Sequence, residues 1–170
     1  MGFKAVRAVH KLSDTEGADL APRPVPGWDE ARALDNLGIR RVPFQSTHGK
    51  LPGYSYGTEV AVNPIAVNQN TTLMHELAHV VLGHTIPHHY EEYQTHWGVK
   101  EFQAEGTAYI VMNELGQLDE HTAEISRGYI RHWLQEETPP DQAIRQVLRG
   151  TRFPVIARST LSARRWRPIS

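Results

Sequence analysis

His75-Glu76-Leu77-Ala78-His79 sets two imidazoles four positions apart, with a carboxylate directly after the first. On a helix, four positions is just over one turn, so both rings leave the same face and can point at one centre. A tetrahedral zinc ion needs this arrangement from its first two protein ligands. Glu76, beside them, is placed to take a proton from a water at the remaining open position, which makes it the candidate catalytic residue. A third ligand must come from elsewhere in the chain. Glu101 and Glu105 are the candidates, one turn apart on the next expected helix, with Ala104 and Ala108 alongside to permit close helix approach. Metal-bound histidine usually gives its other ring N–H to a carboxylate. We therefore assign His75, His79 and Glu101 to the metal and Glu105 to orienting a ligand histidine, His75, with one Zn2+ expected per chain.

Hydrolysis at such a centre also requires a donor for the developing oxyanion. Tyr109, Tyr54 and His96 are the leading candidates, with Tyr56, Tyr129 and His132 behind them. Tyr129 and Trp133 lie four apart, a spacing that reads as a core stripe, while His88, His89 and His96 fall in a loop that either covers the cleft or is solvated. His84 suggests a three-histidine site, but the spacing refuses it: the places three and six residues after His79 hold Leu82 and Thr85. His84 is expected at the helix end, interacting with terminal carbonyls.

The elements that must position these groups follow from periodicity. The spacing predicts a helix behind Asn70-Thr71-Thr72 through Leu73, Leu77, Val80 and Val81 to Gly83, and a second over Val99–Leu115 closed by Gly116. A third helix is expected over His121–Glu137, and a last one opens at Pro139-Pro140 and stops at Gly150. Upstream, a short helix carries Ala31, Leu34 and Leu37 on one face and ends at Gly38. The short runs Ile39–Phe44, Gly53–Gly57 and Thr58–Asn63 read as an antiparallel sheet. Of these, Thr58–Val62 is expected at an edge, bordering the cleft, where unpaired backbone groups could hold an extended peptide. The expected class is α+β, a small antiparallel sheet packed on a helical half, with the metal-site helix beneath the sheet. Residues 1–26 are an N-terminal strand (Lys4–Leu12) and connector, 27–150 the core and 151–170 a basic C-terminal tail.

Composition bounds the rest. The 170 residues suit one domain, and 39% hydrophobic with 22% charged residues is ordinary for a folded chain. Cysteine is absent, which excludes thiolate ligands, disulfides and cysteine nucleophiles and leaves histidine and carboxylate to hold any metal. No apolar run approaches a membrane span and the first twenty residues lack a signal-peptide core, so a cytoplasmic protein is expected. Residues 141–170 hold seven arginines against Asp141, giving that stretch +6 within a chain of net −1. Such a tail can touch nucleic acid or fold back on the acidic body.

HELAHVVLGH, then VKEFQAEGTAYIV and GYIRHWL, resembles the zinc-metallopeptidase half of ArdC-type antirestriction proteins, related to ImmA/IrrE peptidases and more distantly to gluzincins. The resemblance covers about residues 5–150. AVHKLSDTEGADLAP is similar to the strand and connector that leave the single-stranded-DNA-binding domain of those proteins, a domain expected to be missing here. It implies a zincin-like fold and endopeptidase activity on a protein substrate. It also implies a role in plasmid or phage conflict or regulation, with Glu101 as the third ligand and Glu105 behind it. The rival expectations are a non-catalytic zinc-stabilised interaction module and nucleic-acid binding through the tail.

Overall fold

The computed structural model describes residues 28–46, 50–86, 97–134 and 138–152. The expected strand Lys4–Leu12, the connector behind it, the histidine loop with His88, His89 and His96, and the basic tail beyond Arg152 lie outside the described residues.

The class is α+β. Helix α1 (Glu30–Leu37) is followed by strands β1 (Arg40–Arg41), β2 (Gly53–Tyr56) and β3 (Glu59–Val62). Then come helices α2 (Gln69–Val81), α3 (Trp97–Glu114), α4 (Glu120–Leu134) and α5 (Asp141–Gly150). No helix of the described residues is long and apolar enough to cross a membrane.

Local chemistry sets the helix ends. The Asp29 carboxylate accepts from the Arg32 amide to open α1, and Gly38, at φ 64°, closes it in the left-handed region that only glycine adopts without strain. Asn68, upstream of the expected caps, accepts from the Thr71 amide and starts α2 at Gln69. In α1 the buried face is Ala33, Leu34 and Leu37, with Ala31 exposed, so the apolar stripe is rotated from the expected one.

The sheet departs from the expected antiparallel arrangement in two linked ways. It is mixed, in the order β1-β3-β2: β3 pairs antiparallel with β2 and parallel with β1. Thr58–Val62 is therefore the centre of the sheet, and the substrate track proposed along that strand as an edge is removed. The tight turn between Tyr56 and Glu59 folds β2 back on one side of β3, leaving the other side open for the two residues of β1. Val60, Ala61 and Val62 are all buried, as a strand covered on both faces requires, whereas β2 ranges from buried Gly53 to exposed Tyr56.

One core joins the sheet to α2 and α3. Leu34, Leu37, Ile39, Val60 and Val62 pack against Leu73, Met74, Leu77, Val80 and Val81 of α2 and against Ala108, Val111 and Met112 of α3. A second cluster sets Phe102 of α3 against Ala143 and Val147 of α5, with Ile130 and Trp133 of α4 beside them. All residues from Glu101 to Ala108 are buried, so α3 is the central helix, covered on every side. Gly150, read from sequence as a stop, is the last residue of α5 and acts by packing: a Cβ there would come within 2.9 Å of the Thr107 side chain.

Gly53 is the contact that lets α2 press on the sheet. A Cβ at that position would stand 2.6 Å from Thr72 Cγ2, 2.9 Å from the Ala61 carbonyl oxygen and 3.2 Å from Glu76 Cγ. The carbonyl belongs to the partner strand and cannot rotate away. Gly53→Ala is expected to destabilise by about 1–3 kcal/mol, the usual cost of overpacking, read as a lower midpoint in urea unfolding.

Candidate metal centre

Helix α2 brings His75 and His79 to one face, and α3 carries Glu101 opposite them. His75 Nε2 and His79 Nε2 are 3.1 Å apart, and the Glu101 carboxylate lies 3.3 Å from the first and 3.5 Å from the second. Bonds of about 2.0–2.1 Å to one tetrahedral ion put neighbouring ligand atoms roughly 3.3 Å apart. The three residues could thus hold a metal ion as they stand.

Charge makes the same case. Glu76, Glu101 and Glu105 are all buried, at 8%, 8% and 6% exposure. Carboxylates are rarely buried unless paired with cations or coordinated to metal, because removing their hydration is so costly. A divalent cation among them would satisfy that requirement, and a donor set of two imidazoles and a carboxylate is one that zinc accepts.

Each candidate ligand histidine is held from behind through its other nitrogen. His75 Nδ1 lies 2.8 Å from Glu105 Oε2, so this acid fixes the ring from the side away from the ligand cluster. His79 Nδ1 lies 3.1 Å from Nδ1 of His84, whose Nε2 is 3.0 Å from Gln103 Oε1. At the helix end the His84 amide donates to the His79 carbonyl at 2.9 Å, as expected, while both nitrogens of its ring are engaged inside the protein. Gly83, at φ 77°, turns the chain just beyond α2 and points the ring back under His79.

Glu76 faces the sheet, where the Ser55 hydroxyl donates to its Oε2 at 2.7 Å. Ser55 was missing from the sequence reading. Its signal was Gly53, two residues earlier, since glycine inside a strand marks a close backbone approach and here admits α2. Gln103 carried no such signal, because on a helix buried all round no polar face separates one glutamine from the rest.

The oxyanion candidates among the described residues make their contacts elsewhere. Tyr109 sits two turns along α3 from Glu101, and its hydroxyl accepts from Arg127 at 3.3 Å. Tyr54 stacks on Phe44, its hydroxyl accepting from the Gln45 amide at 3.4 Å. Tyr56 and Tyr129 are 62% and 52% exposed, so Tyr129 is no core stripe, and His132 is exposed against Trp133.

Burial alone would lower the pKa of His75, but hydrogen bonds to Glu101 and Glu105 and the charges of Glu105 and Glu76 outweigh it and raise it from 6.5 to about 10. Because the folded value lies above the unfolded one, stability from these contacts is fully present below pH 6.5 and lost as pH rises through about 10. In protein stripped of metal, His75 is therefore a cation at neutral pH. A zinc ion binding there would have to displace its Nε2 proton, so uptake at pH 7 is expected to release about one proton. Calorimetric titrations in buffers of different ionisation enthalpy check this, and uptake without proton release would contradict it. His84 moves the other way, lowered to about 3 by burial and then by the neighbouring His79 and Lys100. It stays neutral in the folded chain, and its burial costs stability as pH falls below 6.5.

No family model, curated protein or solved structure matches the chain. The chemistry at this centre rests on its own geometry.

Proposed function

We propose that the chain is a zinc-dependent metallopeptidase, an endopeptidase of zincin-like fold akin to the ArdC-type and ImmA/IrrE peptidases its motifs resemble. The observation that carries this reading is the convergence of His75, His79 and Glu101 on one centre, with the buried carboxylate of Glu76, next to His75 in the chain, held by Ser55. A zinc ion, which His75, His79 and Glu101 would hold, would supply a Lewis acid able to polarise a scissile carbonyl and to acidify water at the centre.

The chain's own residues do the rest. Glu76 takes the proton of the attacking water and later passes it to the leaving amine, the two proton transfers that amide cleavage needs. Ser55 holds one carboxylate oxygen, which leaves the other to receive the proton. Glu105 keeps the Nε2 of His75 turned toward the ligand cluster. Among the described residues β2 is an outer strand, so an extended segment of a substrate protein added along it runs past Ser55 and Glu76. The role in plasmid or phage conflict follows from the resemblance alone, and the cytoplasmic setting from the resemblance together with the hydropathy of the sequence.

The test is zinc content joined to cleavage. Protein loaded with one equivalent of zinc should generate new amino termini from a denatured peptide library, and stripping the zinc should abolish them. Zinc bound without any cleavage would favour the interaction-module reading.

A further inference from the structure

Behind His79 the structure holds a line of polar side chains that metal ligation alone does not require. His79 Nδ1 meets His84 Nδ1 at 3.1 Å, and His84 Nε2 meets Gln103 Oε1 at 3.0 Å. The Gln103 amide nitrogen donates in turn to Gln146 Oε1 on α5. His84 and Gln103 are buried, at 8% and 4% exposure, so each member depends on the next for its partner.

Two ring nitrogens in contact share a single proton, and a neutral imidazole has only one to place. Gln103 Oε1 can only accept, so the His84 proton is on Nε2 and its Nδ1 is an acceptor. His79 must then supply the proton between the two rings from its own Nδ1. That leaves the His79 Nε2 lone pair facing His75 and Glu101. We propose that His84, Gln103 and Gln146 form a one-way hydrogen-bond chain that fixes His79 in its metal-binding tautomer, making His84 and Gln103 positioning residues of the centre. The chain tethers the ligand on α2 to α5, through α3, so the packing of the last helix is coupled to the metal. This rests on the zinc reading above.

The opposite polarity is chemically available. Were the Gln103 amide turned over, its nitrogen would donate to His84 Nε2, and the proton order would reverse along the line. The His79 proton would then sit on Nε2 and have to be expelled for a metal to bind.

The experiment uses the full chain labelled with 15N-histidine. In zinc-loaded wild type, two-bond 1H–15N spectra should show His79 protonated at Nδ1 and His84 at Nε2. Zinc affinity, measured by competition with a chromophoric chelator, should fall about 10- to 100-fold in Gln103→Leu, the range for loss of an outer partner of a ligand. His84→Asn keeps an amide oxygen near the position of Nδ1 and should stay within a few-fold of wild type, whereas His84→Leu should lose affinity as Gln103→Leu does. If the cluster served only packing, leucine would be tolerated at position 84 at least as well as asparagine. Should His84→Leu fail to fold, Gln103→Leu and the wild-type spectra still decide. His84 protonated at Nδ1 in the loaded protein, or unchanged affinity in Gln103→Leu, overturns the chain while leaving the zinc site standing. A wild type that takes up no zinc overturns both.

Discussion

Replacing Glu76 by glutamine should cut peptide-bond cleavage by about 10²–10⁴-fold while leaving zinc content unchanged, because general-base transfer typically contributes that much. Glutamine keeps the size and shape of the side chain, and its amide oxygen can still accept from Ser55, which donates to the carboxylate at 2.7 Å in the wild type. The close approach of Gly53 to this stretch of α2 is likewise untouched. The variant lacks only a carboxylate able to carry a proton. Fold and metal site persist, so a loss of turnover at full zinc occupancy belongs to the chemistry. Retained turnover would remove Glu76 from the mechanism.

Loss of Glu101 should act on the metal itself. Glu101→Ala removes one of three ligand groups and leaves His75 Nε2 and His79 Nε2 facing each other at 3.1 Å. Zinc affinity should fall by more than the ~100-fold upper range for an outer partner. Zinc present at a thousand times its dissociation constant stabilises the folded chain by about 4 kcal/mol. For a chain of this size that is roughly 10 °C of melting temperature. The full shift should be present in wild type, and at most about a third of it in Glu101→Ala. Glu105→Gln should keep part of it, since an amide oxygen can still accept from His75 Nδ1. A full zinc-induced shift in Glu101→Ala, with none in Glu105→Gln, would exchange the roles of the two acids.

How much of this was legible in the sequence follows from the range of each signal. The two histidines and Glu76 are a local pattern, because one helical turn fixes which face they share. Glu101 and Glu105 are local to α3, and the small residues beside them announce that another helix comes close. The sheet was harder. Its order depends on which side of β3 the two residues of β1 choose, and their partners, Glu59 of β3 for Arg40 and Glu30 of α1 for Arg41, meet them only in the folded chain. A signal did exist in the unbroken Val60-Ala61-Val62 run, which fits a strand covered on both faces better than an edge. The backbone of His84 behaves as helix-end rules require, its amide bonded to the His79 carbonyl, but those rules say nothing of its ring. Its partners, Gln103 and Gln146, come from two later helices and meet it only in the folded chain.

The central claim is that the cluster of His75, His79 and Glu101 serves catalysis and not merely the fold. Counting new amino termini by mass spectrometry, in a denatured peptide library incubated with zinc-loaded wild type and with equally loaded Glu76→Gln, tests it most directly. The account predicts abundant new termini from the wild type and at least a hundredfold fewer from the variant at the same zinc content. Equal zinc in both proteins with no new termini from either, or with the same number from each, would contradict it.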